Sequence, residues 1–240
     1  MPVLRSPLEL VEADLRQTWR ALWPRSQPLT NVEASKGALT FDADGASAAA
    51  MVISAPIPNN ELAGPAATSW LWPTATQDLA GYGAHIVVWA SRAASHLAAF
   101  QTMTRVAATI VRATNALGVY VGGAGLVIKG DLFVEMAQEL ELPVALWVDL
   151  RCMREPDGRS SLFTVGLNRL GLHEIEIPAA NKACGDLRIW TMNLGAWLIE
   201  SRPTINQGET VGLSQDERIR VDYADSMVGR LGPVMRLTGL

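Results

Sequence analysis

Two tryptophans one residue apart, Trp70 and Trp72, stand among prolines 56, 58, 65 and 73 in the stretch Met51–Pro73. Proline supplies no backbone donor and fixes φ, so the prolines fence the tryptophan pair. Indole rings are seldom left in water. The segment is expected to form a rigid corner of the core or the lip of a recognition surface.

Hydrophobic residues make up 49% of the 240, and charged residues 18%. That balance favours a folded chain with an ample core. A net charge of −4 argues against nucleic-acid binding, which calls for a basic stripe. The lysines are Lys36, Lys129 and Lys182, and the other basic residues are arginine; arginine serves carboxylate or phosphate recognition, and GC-rich coding also favours it. The uncharged runs 45–60, 62–77 and 113–128 are broken by Pro or Gly and fall short of the about 20 residues that span a bilayer. The N-terminus is acidic and amphipathic, unlike a signal peptide. Cys152 and Cys184 fit no metal or redox spacing, so they are expected as reduced, buried thiols of a cytoplasmic protein.

Ser6-Pro7-Leu8-Glu9 carries the signature of a helix start, and Leu8, Val11, Leu15, Trp19 and Leu22 form a stripe ended by Pro24. Residues 1–24 are read as an N-terminal helix, and 25–240 as a single α+β domain. Residues 37–55 read as a hairpin turning at Asp42–Gly45, and Ala75–Tyr82 as a short helix. Ala84–Ala90 is apolar on both sides and predicts a strand inside a sheet, with His85, Val87 and Trp89 on one face. Ser95 caps a long helix running to Leu117. Gly118–Ile128 is a strand interrupted by Gly122-Gly123-Ala124-Gly125, Asp131–Leu140 a helix, and Val144–Leu150 a further internal strand. Strands follow around 162–165, 173–177, 209–213, 218–223 and 234–237, with a helix marked by Leu187, Trp190, Leu194, Trp197 and Leu198. Strands and helices do not alternate strictly, which predicts an α+β fold. It has mixed, largely antiparallel sheet packed by about four helices. Two halves, 37–128 and 142–238, each hold strands around a long helix.

The glycines at 122–125 precede Lys129 but match no phosphate-binding fingerprint. His173-Glu174 begins like a zinc motif, yet Ile177 takes the second histidine's place. On a strand, Glu174 and Glu176 share a face about 6–7 Å apart, a spacing suited to acid/base work or to a cation. Arg218 and Arg220 share a face too. Neighbouring strands would let the two pairs form a cross-strand ladder; a groove for an anionic or zwitterionic group is the sharper reading. Asp149 and His85 lie on apolar strands, and a buried Asp must be paired. With Ser69 they would complete a Ser-His-Asp set, but no nucleophile elbow is present.

The stretches 55–73, 84–89, 116–127, 132–137, 146–151, 171–178 and 208–221, in that order, resemble the bacterial family catalogued as domain of unknown function 4261. The resemblance runs from about Ala48 to the C-terminus. A family of unknown function implies no catalytic residue. It implies that Trp70, Trp72, Asp149, Glu174, Glu176, Thr210, Gly212, Arg218 and Arg220 match the family's pattern, from which Asn59 and His173 depart.

These readings lead to a cytoplasmic, non-enzymatic module that binds another protein, an immunity protein neutralising a toxin being one case. Trp70 and Trp72 would be its anchors, with Asp149, Glu174, Glu176, Arg218 and Arg220 as further binding candidates. No cofactor, metal, nucleic acid or membrane is called for, and the oligomeric state stays open. One alternative is a small hydrolase using Asp149, His85 and the Glu174/Glu176 pair. The other is a structural subunit of a larger assembly.

Overall fold

Pro2-Val3-Leu4 forms a strand that no sequence period announces, and it lies inside a sheet. The computed structural model describes residues 1–229 and 232–240. The chain divides into two compact units, Met1–Leu146 and Trp147–Leu240, each carrying its own sheet.

In the first unit the strands are β1 (Pro2–Leu4), β2 (Thr30–Ser35), β3 (Ala38–Ala43), β4 (Ala46–Ile53), β5 (Ala84–Ser91), β6 (Gly118–Val121) and β7 (Leu126–Lys129). Their order is β2-β3-β4-β5-β1-β6-β7, and every pairing is antiparallel. The expected hairpin at 37–55 is present, turning at Asp44 and Gly45, both with positive φ. Ala84–Ser91 is internal, as its two apolar faces predict.

One face of this sheet carries Leu39, Phe41, Ala48, Ala50, Ile86, Ala84, Leu4 and Ile128, all buried. Helices α1 (Glu12–Leu22), α4 (His96–Thr114) and α5 (Gly130–Glu139) pack in this unit, α4 lying against β4, β5, β1 and β6. Ser95 Oγ accepts from Ala98 N at the start of α4, the cap its sequence predicts. The first helix starts five residues later than Ser6-Pro7 predicts, at Glu12 after Val11. Arg5 is held instead, donating to the carbonyls of Ala80 and Asp78, so the chain leaves β1 extended.

The other face is covered over part of its width by the Pro-rich corner, which includes α2 (Ala63–Thr68) and α3 (Ala75–Asp78). Ile57, Leu62, Ala66, Trp72, Ala75 and Leu79 pack on Val3, Tyr120 and Val127.

The second unit holds β8 (Asp149–Arg154), β9 (Ser160–Val165), β10 (Ile175–Ala180), β11 (Thr210–Val211), β12 (Ile219–Asp225) and β13 (Pro233–Thr238), in the order β11-β12-β13-β10-β9-β8. Only β10 and β13 run parallel among these described pairs, so the sheet is mixed and mostly antiparallel. The expected strand at Val144–Leu150 is corrected: Val144–Leu146 is a 3₁₀ turn, and β8 begins at Asp149. Helix α6 (Cys184–Ser201) packs on β8 and β9, burying Leu187, Trp190, Leu194 and Leu198.

The reading of Cys152 and Cys184 as free thiols is overturned. They form a disulfide with Cα atoms 5.7 Å apart, tying β8 to the first residue of α6. The whole is an α+β fold. Among the described residues no helix is long and apolar enough to cross a membrane.

Candidate functional site

The candidates of the second unit are scattered over its sheet, and Glu176 alone of them lies in the row that crosses its middle. Cross-strand register sets Arg151 opposite Phe163, Phe163 opposite Glu176, Glu176 opposite Arg236 and Arg236 opposite Asp222. The expected ladder between the Glu and Arg pairs does not form, because β13 lies between β10 and β12. Arg236, which sequence reading missed, faces Glu176 instead, with Nη2 3.8 Å from Oε2.

The candidate carboxylates Glu174, Glu176 and Asp149 are each committed to local architecture. Glu174 accepts from Thr164 Oγ1 at 2.7 Å, from Gly166 N at 2.7 Å and from Leu167 and Asn168 N at 3.3 Å, fixing the turn after β9. Glu176 accepts from Ser226 Oγ and from Met227 N, anchoring the segment after β12. The two glutamates thus serve different segments, and their carboxylates form no shared pair. Asp149, buried, takes Arg151 Nε at 2.7 Å. Arg218 donates to the carbonyls of Gln215 and Glu217, and Arg220 pairs with Asp222 at 3.1 Å.

Glu217 joins two elements: it accepts from Trp190 Nε1 of α6 at 2.9 Å and from Leu213 N at 2.8 Å. Burial pushes its carboxyl upward, but the Leu213 amide and the Trp190 indole outweigh it and hold it below its usual value.

In the first unit the tryptophan corner is mostly interior. Trp72 is buried and donates its indole N–H to Asp78 Oδ2 at 2.7 Å, while Trp70 is half-buried. Ser69 Oγ donates to the carbonyl of Val127 and accepts from Trp72 N. His85 lies 2.9 Å through Nδ1 from the carbonyl of Ala55. Ser69 and His85 belong to the first unit and Asp149 to the second.

Beyond the corner, the same sheet face is uncovered. Three rows cross it: Asp42, Ser47 and Ser91; Glu33, Thr40, Ala49 and Trp89; and Ser35, Ala38, Met51 and Val87. Thr40 and Ala49 are small, so the middle row is a trough between Trp89 and Glu33. Trp89 is 41% exposed and Met51 37%, a large apolar outlay for open surface. The trough encloses about 330 Å³ and is lined by Trp89, Glu33, Asp42, Thr40, Ala49 and Arg92, among others. The signal for it was present: Trp89 shares a face with Val87 on β5, and a run of small residues, Ala46–Ala50, lies on the next strand. What the sequence could not show is that Ala49 pairs with Trp89 and that the corner stops short of them.

The architecture defines a class: an α+β protein of two sheet-based units, one with an open face bearing an exposed tryptophan. A family model described as Domain of unknown function (DUF4261) matches residues 163–238, and over that stretch the chain resembles this family. The matched residues run from Phe163 on β9 through β13, within the second unit, a narrower reach than the expected start near Ala48. The Trp89 trough lies in the first unit, outside the match. No curated protein and no solved structure matches the chain.

Proposed function

We propose that the protein is a non-enzymatic module that binds another protein through the uncovered sheet face around Trp89. The observation that carries this reading is the exposure of Trp89 and Met51 side by side on a rigid sheet, beside a trough floored by Thr40 and Ala49. Aromatic side chains on rigid elements are the usual energetic centres of protein interfaces. The engagement of Asp149, Glu174, Glu176, Arg218 and Arg220 in local bonds supports a structural use of those charges. Recognition then moves from the Trp70/Trp72 corner to the neighbouring open face. An immunity protein that neutralises a toxin is one case of this class. The disulfide fits an oxidising compartment better than the reducing cytoplasm expected from the sequence, so residence follows from the state of Cys152 and Cys184 in cells.

Affinity capture from native lysate, comparing wild type with Trp89→Ala, tests the reading. A stoichiometric partner retained by wild type and lost by a variant of unchanged thermal stability is expected. Equal capture by both would contradict it.

A further inference from the structure

The trough has a charge pattern as well as an apolar wall. Asp42 is already occupied: Asn31 Nδ2 donates to Oδ2 at 2.6 Å and Ser47 Oγ to Oδ1 at 2.9 Å. Those two bonds, with Arg92's charge added, hold its carboxyl below the usual carboxylate range against a small opposing effect of burial. Asp42 thus has both carboxylate oxygens engaged, and Arg92 adds its charge without an ion pair among the described residues. Glu33 is different. It stands exposed on the edge strand β2, opposite Thr40, and among the described residues its side chain has no hydrogen bond or ion pair. One carboxylate in the trough is thus uncompensated, across two small residues from an exposed indole.

An indole face and an open carboxylate that share one cavity complement a planar cation: the ring attracts the positive face and the carboxylate takes the N–H edge. Adjacent strands are about 4.8 Å apart, so the backbones at Glu33 and Trp89 stand roughly three strand spacings from each other across β3 and β4. A group lying between them has to meet a ring on one side and a carboxylate on the other, which suits the planar, five-donor guanidinium better than a compact ammonium. We propose that the trough receives a guanidinium carried by the partner protein, so that the partner presents an arginine to Trp89 and Glu33. This inference rests on the docking reading above.

The probe is the capped tripeptide acetyl-Gly-Arg-Gly-amide, titrated into ¹⁵N-labelled protein while the Trp89 indole N–H resonance is followed. A saturable millimolar shift is expected, absent with the citrulline counterpart and weakened about threefold or more in Glu33→Gln, an exposed change that leaves the core intact. No shift with the arginine peptide up to tens of millimolar, or equal shifts with citrulline, would overturn the assignment. So would an unchanged affinity in Glu33→Gln. The two readings separate cleanly. If Trp89→Ala loses the captured protein while Glu33→Gln keeps it at wild-type strength, the surface docks a protein and the guanidinium assignment falls. If neither variant changes capture but the peptide still shifts Trp89 selectively, the cation site stands and the docking reading falls.

Discussion

Gly118 shows how closely the tryptophan corner is fitted to its sheet. A Cβ built there would lie 2.3 Å from Trp72 Cζ3 and 2.5 Å from the carbonyl oxygen of Ile128. Neither neighbour can withdraw, since the Trp72 ring is pinned by Asp78 and the carbonyl belongs to the paired strand β7. Gly118→Ala is expected to cost about 3 kcal/mol in urea unfolding at constant m-value, and a loss under about 1 kcal/mol would refute the close fit. Glu217 gives a pH-dependent counterpart. Its carboxyl is held below the ordinary 4.5, so its stabilisation is complete above that value and fades as pH falls through the lowered native one. Glu217→Gln should cost about 1 kcal/mol at pH 7, reduced from a buried charged bond because the site is half exposed. That gap should shrink toward pH 3, and a gap independent of pH would contradict the bonding described. Neither feature was legible in the sequence. Trp70 and Trp72 were visible as a costly pair, but the backbone they press on, and the indole Trp190 that Glu217 meets, come from distant parts of the chain.

Elements with a strong local period were legible. The cap at Ser95, the hairpin at 37–55 and the internal strand at Ala84–Ser91 all follow from spacing and turn residues. Elements defined by their neighbours were not. β1 is three residues long, too short for any period, and it is a strand because β5 and β6 leave a slot between them. The apolar run at 144–150 reads as a strand, yet Pro143 and the unit boundary turn its first half into a 3₁₀ segment. Cysteine spacing was silent for the same reason: the packing of α6 on β8 brings Cys152 and Cys184 together. That bond closes a sequence separation of 32, and in the loop-entropy account it contributes about 3–4 kcal/mol. The Cys152→Ser/Cys184→Ser double variant should lose that much in chemical unfolding, while Arg188 Nε still holds the carbonyl of Leu150. A double variant as stable as wild type would show that α6 is fixed by packing alone.

At the scale of the whole molecule, the ionisable residues that drew notice in sequence are spread over separate structural tasks. Exposed apolar side chains occur in both units, Ile189 and Trp197 on α6 among them, and Trp89 and Met51 share one face of the first sheet. Reading function from charged motifs therefore pointed at the second unit, where the family match lies, and the recognition surface proposed here lies in the first. The direct test is hydrogen–deuterium exchange on the protein alone and in complex with the partner it captures. Slowed exchange over residues 38–53 and 84–91, with the Glu174 and Glu176 segments unchanged, is the predicted result. Slowed exchange confined to the second unit, with β3, β4 and β5 exchanging as in the free protein, would contradict it.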